Sequence, residues 1–176
     1  SRTVYHGLGA VRAKFAFEHP AMRWMSTGGD SGEPPPERFL TLDAGFTFAR
    51  SGWGVDRPRL EEHHLSVRHG APRALHGHLD HGSITLFADG QPLVVDPGKY
   101  AYGSTEERRH VVSAEAHNLV TIGAVCPPPA DRRSEVVDVA HTDDYDRLTV
   151  RVATCAGTRW IRTLGFVRDT GEVVVL

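Results

Sequence analysis

The strongest constraint on this fold is local. Residues 83–96 read SITLFA-DG-QPLVVD, two apolar and β-branched runs separated by Asp89-Gly90. Asp-Gly tolerates the positive φ angles of a two-residue type I′ turn, whose twist matches that of paired strands. A hairpin is expected, with Ala88 opposite Gln91 and Ser83 opposite Asp96. Short runs of the same kind recur at 38–42, 45–50, 62–68, 118–123, 134–140, 147–153, 158–168 and 171–176, with Gly, Pro and Asp between them. Short strands at this spacing predict a mainly β chain, an antiparallel β-sandwich or a barrel.

The first thirty residues read differently. Residues 7–18 (GLGAVRAKFAFE) have helical spacing of apolar side chains, and His19-Pro20 is expected to end that helix. Residues 27–37 are rich in Gly and Pro and read as a linker. The expected division is a helical tail or linker over 1–30 and a sandwich over 38–176. The sandwich stops inside a strand at Val173–Leu176, so the chain reads as a piece of a longer protein.

Composition excludes several classes. A formal charge of −2 over 176 residues gives no basis for a nucleic-acid binder held by phosphate contacts. No apolar run approaches the roughly 20 residues of a membrane span. No glycine-rich phosphate loop opens a helix. Two cysteines, Cys126 and Cys155, are too few for a disulfide framework, and whether they pair is open.

Histidine is the unusual residue, with 11 in the chain. It is the commonest metal ligand and titrates near neutral pH. His76-Gly77-His78 places two imidazoles on one face if the chain is extended there, with Asp80 on the same face. The plain alternative is two hydrogen-bonded surface histidines. Asp96 ends an apolar strand before Pro97-Gly98, where a carboxylate needs a partner; it also reads as an ordinary turn cap. His117 precedes the expected strand at 118–123. Two histidines and one aspartate make a three-ligand set for Zn²⁺ with a position left for water or substrate, and mixed N/O ligation admits other divalent ions. Gly70 and His76-x-His78 also fit the opening of a cupin motif. The glutamate and second-half histidine that a cupin needs are missing.

Taken in order, His76-Gly77-His78-Leu79-Asp80-His81, Phe87 through Gly98, Tyr100-x-Tyr102 and Ala116-His117-Asn118 resemble the C-terminal β-sandwich (supersandwich-like) of heparinase II/III-type polysaccharide lyases. The match is tight over residues 76–124 and looser over 38–176. The resemblance implies β-elimination on an acidic, uronate-containing polysaccharide or oligosaccharide, in a cleft shared with an α/α toroid that lies outside this sequence. It implies His76 as the catalytic histidine of the sandwich. It implies His78, Asp96 and His117 as ligands of one divalent metal, zinc before calcium or manganese, with a mainly structural role. Asp80, Tyr102, Arg108 and Asn118 are the expected supporting or substrate-facing residues, and Arg109 also lies between the ligands. The toroid carries the tyrosine acid/base in that family, so the chain alone is expected to be inactive. Export to the periplasm, cell envelope or medium follows from a polymeric substrate. A non-catalytic, metal-stabilised sandwich for sugar binding would have the same ligands.

Overall fold

Period-two alternation of buried side chains sets the layers. The computed structural model describes residues 19–71, 76–122, 134–153 and 158–176. β1 (Phe39–Leu42), β2 (Phe46–Arg50), β3 (His64–Arg68), β4 (Ile84–Ala88) and β5 (Gln91–Val94) form one antiparallel sheet in sequence order. β6 (Ser134–His141), β7 (Tyr145–Ala153), β8 (Arg159–Val167) and β9 (Val173–Val175) form a second, also in sequence order. Alternate residues turn inward: Ala49, Leu65, Val67 and Ile84 from the first sheet meet Leu148, Val150, Val152, Leu164 and Phe166 from the second. This shared core makes the molecule the expected antiparallel sandwich. Most expected strands are present within a few residues of their predicted ends.

The layer also buries charge. Arg168 and Asp146 are each 2% exposed and paired, with Arg168 Nε donating to Asp146 Oδ2 at 3.3 Å. His141 Nδ1 lies 2.6 Å from Asp146 Oδ1 and its ring stacks on Phe39. No helix among the described residues is long and apolar enough to cross a membrane.

Four sequence expectations are corrected. First, the helix over 7–18 and its end lie outside the described residues, and Pro20, read only as a stop signal, opens a helix of its own: α1 spans Pro20–Thr27. Proline suits the first helical turn, where its missing N–H leaves no bond unmade. His19 caps it by accepting the Ala21 N–H at 3.2 Å. Second, part of the supposed linker folds back on α1. A Cβ on Gly32 would lie 2.3 Å from the Pro20 carbonyl oxygen, so only glycine fits there. Trp24 Nε1 then donates to the Trp53 carbonyl at 3.0 Å and ties α1 to the loop after β2.

Third, residues 118–122 form no strand, and Val120 and Ile122 stay exposed; residue 123 lies outside the described residues. Fourth, the hairpin keeps its turn but not its register. Asp89 and Gly90 have φ of 52° and 74°, as type I′ demands, and Ala88 faces Gln91. A bulge follows: Phe87 faces Pro92 but Leu86 faces Val94. Leu93 is the extra residue, the ladder stops at Val94, and Ser83 does not face Asp96. A helix not anticipated, α2 (Glu106–Val111), lies between β5 and the second sheet, capped by Thr105.

Candidate metal centre and its cleft

Three loops deliver three side chains to one point. His78 sits on the loop 76–80, pinned where the Leu79 N–H donates to the Val112 carbonyl just after α2, at 2.9 Å. His117 follows a 3₁₀ turn, Ala114–Ala116. Asp96 lies two residues beyond β5. One ligand atom from each of His78, Asp96 and His117 lies within 4.8 Å of the others.

The distances suit a cation. His78 Nδ1 is 3.2 Å from His117 Nε2, which is 3.3 Å from Asp96 Oδ2. Ligands about 2.0–2.1 Å from a tetrahedral cation stand roughly 3.3 Å apart. His117 Nδ1 lies 2.6 Å from the Ser113 carbonyl oxygen. A carbonyl only accepts, so Nδ1 carries the proton and Nε2 presents its lone pair to the carboxylate and the second imidazole. Lone pairs facing one another in this way are a donor set for a positive ion. With His117 Nε2 as the acceptor, the 3.2 Å contact is a hydrogen bond when His78 Nδ1 carries the proton, so ligation through Nδ1 requires the proton to leave that nitrogen. Burial pushes the His78 imidazole below its ordinary value; Asp96 and Asp80 pull it up, while His117 and Arg108 push it down. A neutral imidazole is the ligating form.

Both sequence readings of Asp96 hold at once. Its Oδ1 accepts the Gly98 N–H at 2.7 Å, the turn cap, while Oδ2 turns to His117. The bulge and the early end of β5 release Asp96 from the sheet.

His76 does not join the cluster. The expected extended His76-x-His78 strand is a loop, with His76 at φ 57°. His76 is exposed and meets the Tyr102 ring edge-on at 5.4 Å. It lines an open cavity of about 160 Å³ with Arg68, Gly77, His78, Asp80 and Asp96. The two histidines thus share a cavity with different exposures: His78 turns to the ligand cluster and His76 to solvent.

The other expected residues fall into place by contact. Asp80 Oδ1 lies 3.8 Å from Arg68 Nε, at the cavity wall. Arg108 Nη1 donates to the Lys99 carbonyl at 2.7 Å and lies 3.5 Å from His78 Nε2. Tyr102 is 69% exposed and carries Lys99 Nζ 3.2 Å from its ring centre. Asn118 bonds the backbone of Ile84 rather than facing the cavity. Arg109 and His110 are exposed on α2. Cys126 and Cys155 lie outside the described residues.

Sequence reasoning missed three features. Arg68, only 5% exposed, forms part of the cavity wall and is held by the Gly45 and Ala71 carbonyls at 3.0 and 2.8 Å. An arginine closing the apolar run HLSVR was the available signal. Tyr100, at φ 61°, shares with His76 a backbone conformation costly for a bulky residue, and both flank the site; nothing in the sequence marks this. Histidines 63 and 69 are buried, at 7% and 5% exposure. His63 packs so closely on Gly171 that a Cβ there would sit 1.5 Å from its Nδ1. His81, at 4% exposure, is interior as well.

With this geometry in hand, known proteins can be set beside it. Residues 33–165 match the family model "Heparinase II/III-like, C-terminal". The fold superposes on heparan sulfate lyase HepC from Pedobacter heparinus with a TM-score of 0.76, at 19% identity over 95% of this chain and 26% of that one. It superposes on the heparinase III BT4657 gene product with a TM-score of 0.82, at 20% identity over 98% of this chain and 26% of that one. The chain therefore spans about a quarter of the length of these structures. No curated protein sequence matches it.

Proposed function

Because the chain belongs to the heparinase II/III-like family through its C-terminal domain, we propose that it is the metal-bearing sandwich of a polysaccharide lyase. The longer enzyme cleaves uronate-containing polysaccharide by β-elimination. The observation that carries this reading is the His78, Asp96 and His117 cluster set beside an exposed His76 in one cavity.

β-Elimination removes a weakly acidic proton from the carbon beside the uronate carboxylate and expels the 4-linked oxygen. The barrier falls when fixed donors neutralise the carboxylate and a base of suitable pKa stands within reach. In the proposed division of labour an α/α toroid supplies the tyrosine acid/base and the group that neutralises the carboxylate. His76 meets the sugar from the sandwich side. Its exposure and its contact with Tyr102 leave the imidazole open to a bound sugar. His78, Asp96 and His117 hold one divalent cation, zinc by the N/N/O donor set. A bound cation supplies a cross-link between three loops and thereby fixes the segment bearing His76. Asp80, held near Arg68, and Arg108, near His78, steady that loop. An enzyme acting on an intact polymer works outside the cytoplasm, in the periplasm, at the cell surface or beyond.

The test uses the full-length enzyme and the 176-residue chain. His76→Ala in the full-length lyase should retain its metal content by elemental analysis and lose formation of the unsaturated, ultraviolet-absorbing product. Wild-type turnover by that variant removes His76 from the mechanism. The isolated chain should bind metal and release no unsaturated product from heparan sulfate or alginate; product release would refute the division of labour.

A further inference from the structure

Asn118 does something that neither ligation nor substrate contact requires. Ile84 stands opposite Val67 of β3, and both its backbone polar groups go to one side chain. The Ile84 N–H donates to Asn118 Oδ1 at 2.9 Å, and Asn118 Nδ2 donates to the Ile84 carbonyl at 2.9 Å. The amide orientation is dictated, since the N–H only donates and the carbonyl only accepts. This is the pair of bonds a strand residue makes to its neighbour in an antiparallel ladder.

The ladder position it fills belongs to another residue. After the bulge Leu86 faces Val94. Two residues further along each strand, Ile84 would face Asp96. β5 ends at Val94 instead, and Asp96 points its carboxylate at the Gly98 N–H and His117. Asn118 occupies the place of Asp96 and is joined directly to His117 in the chain.

We propose that Asn118 is a positioning residue that builds the cation site. Its carboxamide replaces Asp96 at the edge of β4, which turns Asp96 out of the sheet toward the cluster. The same clamp anchors His117 to the core through β4. One side chain thus places two of the three ligands, and the bulge at Leu93 supplies the register that makes the exchange possible. The inference rests on the metal reading above.

The experiment is Zn²⁺ and Co²⁺ titration of the 176-residue chain as wild type, Asn118→Ala and Thr85→Ala. Thr85→Ala is the control, because it removes a hydroxyl pair with Ser66 (2.6 Å) from the same strand without touching the cluster. Asn118→Ala should bind Zn²⁺ about 10–100-fold more weakly and give an altered Co²⁺ ligand-field spectrum. Thr85→Ala should match wild type in both. Unchanged affinity and spectrum in Asn118→Ala, or an equal loss in Thr85→Ala, overturns the positioning role and leaves the metal reading standing. A wild-type chain that binds no Zn²⁺ sinks the metal reading and this proposal with it. Hydrogen exchange on the unmodified chain needs no variant to fold: saturating Zn²⁺ should slow exchange at the Ile84 amide, and an unchanged rate there also overturns the proposal.

Discussion

Acid should weaken this sandwich through His64, and the size of the effect follows from its surroundings. His64 opens β3 opposite Arg50, and its ring stacks on Phe48 at 6.0 Å. Its Nε2 is buried without a hydrogen-bond partner. Burial first, and the Arg50 charge second, push the imidazole down from 6.5 to about 4. The folded state therefore refuses a proton that the unfolded chain accepts below pH 6.5. Stability is full above that pH and falls as pH drops toward 4, at up to about 1.4 kcal/mol per unit. Between pH 7 and 4.5 the loss due to His64 is about 2 kcal/mol once partial solvent access is discounted, or roughly 4–8 °C in Tm for a chain of this size. Urea unfolding of wild type and His64→Phe at both pH values isolates the term, because phenylalanine keeps the stacked ring and cannot titrate. The variant should show an acid loss smaller by about that amount. Equal losses in the two proteins would refute the assignment and move the acid sensitivity to other groups.

Two further outcomes are expected. Zn²⁺ at 100 times its Kd should stabilise the chain by about 2.7 kcal/mol; chelator should reverse this, and Asp96→Ala should abolish it in a thermal melt, whereas a melting temperature indifferent to chelator contradicts a structural cation. Asp146→Ala should cost about 3–5 kcal/mol in denaturant unfolding, because it strands the Arg168 charge at 2% exposure; a loss under 1 kcal/mol would mean the pair is not buried as described.

Most of the architecture was legible because it rests on short-range chemistry. Alternation in TFA, LSV, LTVRV and LGF marks strands with one buried face, and Asp89-Gly90 marks the turn between β4 and β5 whatever lies around it. The failures came where a local signal had two physical outcomes. Pro20 suits a helix start as well as a stop. Residues 118–122 have strand composition, but Asn118 spends its side chain on Ile84, and among the described residues no strand pairs with 119–122. Histidines 63, 69 and 81 look polar in sequence, yet the fold buries them, His69 beside the Thr47 hydroxyl at 2.9 Å.

The candidate site divides along the same line. By itself the sequence determined the donors: two imidazoles and a carboxylate, each at a turn or strand end, in an order that resembles one family. It did not determine that they meet. Tertiary structure decided that His76 and His78 part ways, through a backbone turn at φ 57° that no residue type announces. It also decided that Asp96 reaches His117, through a one-residue bulge and a side chain that stands in for a strand. Side-chain chemistry is a property of each residue. Convergence within 4.8 Å is a property of register and loop anchoring, set by the packing of two sheets against each other.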